Sequence, residues 1–165
     1  MAIESELKFR VRDFSAIRKR LKQLGAKRIS SYFEHNTLFR APQGFTLRLR
    51  KKHGKGILTL KGPLLPGAVK RREEIEAAVS YPQAFQTLRA LGIRFVYEKR
   101  REEWKFKNAV IALDALPILG KVIEIEAAPA AVKTVAKKLG LKNGTKASYI
   151  DLFKKAKPGK KRFTF

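Results

Sequence analysis

Ile3-Glu4-Ser5-Glu6-Leu7-Lys8-Phe9-Arg10-Val11 alternates with period two: its even positions are charged and its odd positions mostly apolar. Successive side chains of a β-strand point to opposite faces, so this stretch reads as a strand with one charged face and one apolar face. Same-face neighbours then stand roughly 6–7 Å apart along the chain. Val122-Ile123-Glu124-Ile125-Glu126 repeats the pattern, with its two carboxylates on one face and its two isoleucines on the other. A third acidic pair, Glu74/Glu76, lies in a similar stretch. The basic residues behave alike. Arg48, Arg50 and Lys52 fall opposite Phe45, Leu47 and Leu49, Thr59 and Lys61 share a side, and so do Lys99 and Arg101. Asp114 falls on the same face as Ala112.

Working outward, this period predicts strands at 3–12, 28–40, 45–53, 56–62, 70–79, 93–101, 102–107, 109–115 and 120–127. Helical spacing appears three times between them. Asp13 is placed to cap a helix carrying Phe14, Ile17, Leu21 and Leu24 that stops at Gly25. Ser80-Tyr81-Pro82 opens a second, with Phe85, Leu88 and Leu91, that stops at Gly92. A third, from Pro129, carries Val132, Val135 and Leu139 and stops at Gly140. A short helix with Tyr149, Leu152 and Phe153 follows Ser148.

Each helix has one apolar stripe, which the apolar faces of the strands can cover. The charged faces must point elsewhere. An antiparallel sheet with one wet face would satisfy the pattern, but such a face mixes Ser, Thr, Gln and Lys, whereas here it is almost wholly Glu, Asp, Arg and Lys. The expected fold is therefore α+β and mainly β: a closed antiparallel barrel with a polar, charged lumen and helices outside. Residues 1–153 read as one domain without internal repeats, and 154–165 as a solvated basic tail.

The 165 residues contain no cysteine, which excludes disulfides and thiolate metal sites and makes a cytoplasmic location the expectation. The longest apolar run, Ala109–Leu119, is broken by Asp114 and Pro117, too short to span a bilayer. With 38 Lys and Arg against 14 Asp and Glu, the net charge is +24. Such a chain attracts polyanions.

Paired carboxylates amid dense Arg and Lys suit a site that binds metal and phosphate together. Hard divalent cations take carboxylate and phosphate oxygens. Arginine grips phosphate bidentately, and lysine adds a point charge.

Taken in order, Glu4-x-Glu6-x-Lys8, Leu47-Arg48-Leu49-Arg50, Leu58-Thr59-Leu60-Lys61-Gly62-Pro63 and Arg72-Glu73-Glu74-Ile75-Glu76 lead into Lys99-x-Arg101. Leu113-Asp114-x-Leu116-Pro117-x-Leu119-Gly120, Glu124-Ile125-Glu126 and Lys146-Ala147-Ser148-Tyr149 complete the set. This ordered series resembles the CYTH superfamily, or triphosphate tunnel metalloenzymes. The resemblance implies an eight-stranded tunnel acting on a triphosphate with Mg²⁺ or Mn²⁺. The substrate would be ATP, converted to cyclic AMP and pyrophosphate as by a class IV adenylyl cyclase, or ATP, inorganic triphosphate or thiamine triphosphate, hydrolysed by a triphosphatase.

It implies Glu4, Glu6, Asp114, Glu124 and Glu126 as metal ligands, with Glu4, Glu6 and Lys8 catalytic. Lys8, Arg48, Arg50, Lys61, Lys99, Arg101 and Lys146 would bind phosphate, and Arg72, Glu74 and Glu76 would line the tunnel further along. Phe39-Arg40-Ala41-Pro42-Gln43-Gly44 lacks the acid that members often carry there. A monomer or homodimer fits the family.

Other readings stand beside these. Each Glu-x-Glu alone suits a solvated strand face with cross-strand cations. His35 and His53 need no function, Trp104 and Phe106 suit a core, and Gly54 and Gly56 flank Lys55 in a hairpin turn. The rival from another class is a nucleic-acid or polyphosphate-binding module built on the basic surface.

Overall fold

Between Lys52 and Lys55 the chain reverses through His53-Gly54, both at positive φ (48° and 75°). The twist of such a two-residue turn matches that of the strands it joins. Gly56, just beyond, has no room for a side chain, because an added Cβ would lie 2.7 Å from the Val79 carbonyl oxygen. Short reversals of this kind let strand follow strand around a barrel. The computed structural model describes residues 2–165, with side chains from residue 5 onward.

The elements in chain order are β1 (Ala2–Val11), α1 (Ser15–Gln23), β2 (Lys27–Phe39), β3 (Thr46–Lys52), β4 (Lys55–Leu65) and β5 (Lys70–Val79). There follow α2 (Tyr81–Leu88), β6 (Ile93–Phe106), β7 (Ala109–Leu116), β8 (Gly120–Glu126), α3 (Pro129–Lys138), α4 (Tyr149–Ala156) and β9 (Arg162–Phe163). Strand order is β2-β3-β4-β5-β1-β8-β7-β6-β9, and pairing of β2 with β6 closes the first eight into an antiparallel barrel. The expected architecture is present, and β9 adds a short parallel strand against Val96 and Tyr97.

Three details differ from the sequence reading. The segments expected at 93–101 and 102–107 form one 14-residue strand, β6, paired with β2 along its length. α1 starts at Ser15 with Phe14 at its boundary, and Asp13 acts one residue earlier, its Oδ2 accepting the Ser15 N–H at 2.7 Å. Residues 154–165 are exposed apart from Phe163, yet the segment is tied to the barrel: α4 runs to Ala156, and Phe163 is buried, stacked on Phe153 at 4.3 Å between ring centres. An aromatic side chain buries enough apolar area to hold a lysine-rich segment against the barrel.

Two apolar clusters frame the lumen. One, with Phe9, Ile17, Leu21, Trp104, Ile111, Ile123, Ile125, Val132 and Val135, lies where α1 and α3 cover the outer faces of β1, β8, β7 and β6. The other gathers Leu38, Phe95, Tyr97, Leu116, Val122, Tyr149, Phe153 and Phe163. Leu38, Tyr97, Leu116 and Val122 share the parity of the charged inward residues, so this cluster fills one end of the barrel from within. Among the described residues, no helix is long and apolar enough to cross a membrane.

Candidate active site: a charged tunnel

Strand alternation delivers charge to the lumen from every wall. β1 supplies Glu6 and Lys8, β3 Arg48, Arg50 and Lys52, β4 Thr59 and Lys61, and β5 Lys70, Arg72, Glu74 and Glu76. β6 supplies Lys99, Arg101 and Glu103, β7 Asp114, and β8 Glu124 and Glu126. All of these but Thr59 and Asp114, which are buried behind the others, line a cavity of about 560 Å³.

Register fixes who meets whom. Lys8 pairs with Glu124 across β1 and β8, and Glu6 with both Glu126 and Lys70. Lys8 Nζ lies 2.6 Å from Glu6 and 2.9 Å from Glu124. Burial opposes its charge, but Glu124 and Glu6 outweigh that and hold its pKa above the ordinary lysine value. Lys70 also donates to Glu6. Burial, then repulsion from Lys8, pushes the Lys70 pKa below the usual lysine value despite that partner.

Arg101 binds Asp114 through two nitrogens at 2.7 and 2.6 Å and Glu124 at 2.7 Å. Its burial is offset by these carboxylates, so its pKa is raised. Burial likewise works against the Glu124 carboxylate, yet Lys8, Arg101 and Lys99 hold its pKa well below the usual range. Tyr149 donates its hydroxyl to Asp114. Its position follows from the start of α4, where Ser148 and Asp151 form a reciprocal capping box. The chain reaches that point pinned to β1: Lys8 N–H donates to the Thr145 carbonyl at 3.0 Å, and Thr145 N–H donates to the Lys8 carbonyl at 2.8 Å.

The opposite wall is more open. Lys61 lies 2.9 Å from Glu74, and Arg48 lies 3.7 Å from both Glu74 and Glu76. Thr59 donates to Glu76 at 2.8 Å. Arg72 lines the cavity but braces its wall, donating to the Gly62 and Gly44 carbonyls at 2.6 Å each.

Most of the expected site residues therefore meet in one lumen: Glu6, Lys8, Arg48, Arg50, Lys61, Arg72, Glu74, Glu76, Lys99, Arg101, Glu124 and Glu126 line it, and Asp114 binds Arg101 behind them. Lys146 is not brought there. It is exposed, and its ammonium donates to the Gly67 carbonyl at 3.1 Å. The Glu4 side chain lies outside the described residues, while its backbone pairs with Arg72.

Tyr32, Glu34, Lys70 and Glu103 were not singled out from the sequence, and Lys52 and Tyr149, though placed on a charged face and in a matching motif, were given no role in the site. Parity alone could have found Lys70, two residues before Arg72 on one strand. Glu103 was hidden by dividing β6 at 101/102. Glu34 is fully buried between Lys99 at 3.3 Å and Arg50 at 3.5 Å.

Among the described residues no three His, Cys, Asp or Glu side chains converge as a ready cation cage. Glu6, Glu124 and Glu126 nevertheless offer a hard, oxygen-only donor set on neighbouring strands, chemically suited to Mg²⁺ or Mn²⁺.

The sequence profile of the CYTH domain family matches residues 2–149. A candidate adenylate cyclase of Methanocaldococcus jannaschii is 31% identical over 133 residues, covering 75% of this chain and 76% of that protein. A solved Pyrococcus horikoshii protein superposes with a TM-score of 0.80 at 31% identity, covering 90% of this chain and 98% of the other. A Hippeastrum protein, described as a candidate adenylyl cyclase with a dominant triphosphatase activity, shares the fold at a TM-score of 0.68 and 21% identity, over 94% and 96% of the two chains. With an eight-stranded charged tunnel and a profile match over nearly its whole length, this chain belongs to the CYTH family.

Proposed function

We propose that the tunnel binds a triphosphate together with a divalent metal ion and hydrolyses its terminal phosphoanhydride bond. The observation that carries this reading is the convergence of Arg48, Arg50 and Lys61 from two adjacent strands on a lumen whose other wall holds Glu6, Glu124 and Glu126. Glu6, Glu124 and Glu126, with Glu4 of the Glu4-x-Glu6 sequence pair, would hold Mg²⁺ or Mn²⁺. When bound, the ion supplies Lewis-acid polarisation of phosphate oxygens. Arg48, Arg50 and Lys61 grip the phosphate chain and neutralise charge that develops as the bond breaks. Lys8, kept charged by Glu6 and Glu124, serves as a fixed cation rather than as a proton acceptor.

Hydrolysis is favoured over cyclisation by the aromatic residues of the lumen. Lys52 Nζ sits 3.7 Å from the Tyr32 ring centre, and Lys8 and Lys99 lie 4.9 and 5.2 Å from that of Tyr149. These rings are engaged by lysines, which supports a substrate held by its phosphates more than by a stacked base. The cyclase reading retains support from the name of the Methanocaldococcus relative.

Steady-state kinetics of Lys61→Ala and Glu6→Gln test the assignment. Lys61→Ala is expected to lower kcat/KM by about 10²–10³, and Glu6→Gln to abolish metal-dependent turnover. Because Glu6 is the buried partner of Lys8 and Lys70, its variant should also melt lower, so both are assayed well below their melting temperatures. Full activity in Glu6→Gln would remove Glu6 from the metal set.

A further inference from the structure

Among the described residues the lumen is close to neutral, because its lysines and arginines are matched almost one for one by Glu6, Glu34, Glu74, Glu76, Glu103, Asp114, Glu124 and Glu126. The net charge of +24 therefore lies on the outside of the barrel. One part of it is organised. A groove of about 490 Å³ between the start of β6 and the C-terminal segment is lined by Arg40, Arg94, Lys154, Lys160 and Lys161, and by no acidic residue. The backbone that carries Lys160 and Lys161 is fixed against β6, since the Val96 N–H donates to the Lys161 carbonyl at 2.8 Å and buried Phe163 anchors β9 just beyond.

On the other side of β9 the fold brings together two aromatic residues far apart in sequence. The rings of Phe33 and Phe165 lie 6.2 Å apart and are 45% and 55% exposed. The Arg100 guanidinium stands 4.7 Å from the Phe165 ring centre. The nearby carboxylate of Glu98 is engaged by the Phe165 N–H at 2.9 Å and by His35 at 3.0 Å. An extended chain rises about 3.3 Å per residue, which puts the rings roughly 13 Å beyond Lys161.

We infer that this face, the Arg40–Lys161 groove together with the Phe33–Arg100–Phe165 platform, binds single-stranded nucleic acid. Cations in a groove track a phosphate backbone, and exposed rings take unstacked bases. A bare polyphosphate chain has no use for the rings, and a duplex keeps its bases away from them. The surface lies outside the tunnel and does not depend on what the tunnel hydrolyses.

Fluorescence anisotropy with a labelled mixed-sequence RNA 20-mer, its duplex and long-chain inorganic polyphosphate tests the inference. The protein is expected to bind the single strand with a Kd on the order of 1–100 µM near physiological salt. The Lys160→Glu/Lys161→Glu variant should weaken binding about tenfold or more and flatten the salt dependence. Phe33→Ser/Phe165→Ser should cost about 5- to 100-fold for the single strand while leaving polyphosphate affinity within about twofold. Triphosphate turnover should be unchanged in both. Equal binding of all three polyanions with no loss in the phenylalanine variant would overturn the inference and leave a surface that reads charge alone. Absence of RNA binding at low salt would overturn it outright. Should a C-terminal substitution disturb folding, Phe33→Ser, on β2, decides alone.

Discussion

Glu34 is a carboxylate with no solvent exposure, kept ionised by its neighbours. Burial works against its charge, but Lys99, Arg50, Arg101 and Arg48 prevail and push its pKa below the usual carboxylate range. Glu103 is lowered too: burial opposes, while hydrogen bonds from Tyr32 at 2.6 Å and Ser30 at 2.7 Å, with Arg101 and Lys52, outweigh it. Because these folded values lie below the unfolded ones, the stability they contribute is complete above about pH 5 and is lost as pH falls through the folded value. Glu34→Gln leaves buried Lys99 short of a counter-charge, at an expected cost of about 3–5 kcal/mol at neutral pH. Urea melts should show that gap narrowing on acidification towards pH 3. A gap that is constant with pH would mean that Glu34 contributes packing and not charge. Nothing in the sequence marks Glu34 out. It occupies a position between Tyr32 and Asn36 whose parity points inward, and only barrel closure by β6 brings Lys99 to it.

At the scale of elements, the clean alternation of β1, β3 and β8 made them legible, because each has one apolar outer face under a helix or beside an apolar strand. β6 lost that signal in the run Arg100-Arg101-Glu102-Glu103, where both faces are charged. The reason is local: Glu102 faces outward but is bound by Arg18 of α1 at 2.9 Å and by the Trp104 indole N–H at 2.7 Å. A charged outer residue was needed to meet a basic helix, so period-two hydrophobicity failed where the strand did not.

The C-terminal segment hid its structure in the same way. Six basic residues outweigh Phe163 in any composition window, but a single buried ring decides the conformation. Phe163→Ala should destabilise the protein by about 3–5 kcal/mol, and limited proteolysis should then cut first between Lys154 and Arg162. Unchanged protease resistance would show that β9 does not hold this segment.

For the whole molecule, strand parity in the sequence already points most of the acids into the lumen, but the near-neutral balance of the interior also needs Glu34 and Glu103, which the sequence does not set apart. The count of charges is in the composition, but which acids go inside depends on strand parity all around the barrel. The lumen pairs Lys61 with Glu74 and Lys8 with Glu6 and Glu124, so the proposed triphosphate, bringing about four negative charges, is expected to bind with cations of its own. Binding of inorganic triphosphate alone, followed by calorimetry, should therefore be at least about tenfold weaker than binding with a non-hydrolysable analogue and Mg²⁺ present. Equal affinities would mean that the arginines and lysines suffice without the metal.

Phosphorus NMR of inorganic triphosphate and of ATP, each incubated with the protein and Mg²⁺ or Mn²⁺ and then with a chelator in excess, tests the central claim most directly. The proposed hydrolysis predicts, in the presence of metal, orthophosphate and pyrophosphate in equal amounts from inorganic triphosphate and orthophosphate with ADP from ATP, inorganic triphosphate consumed ahead of ATP, and no turnover with the chelator. Pyrophosphate and cyclic AMP from ATP, or release of orthophosphate at full rate in the chelator, would contradict it.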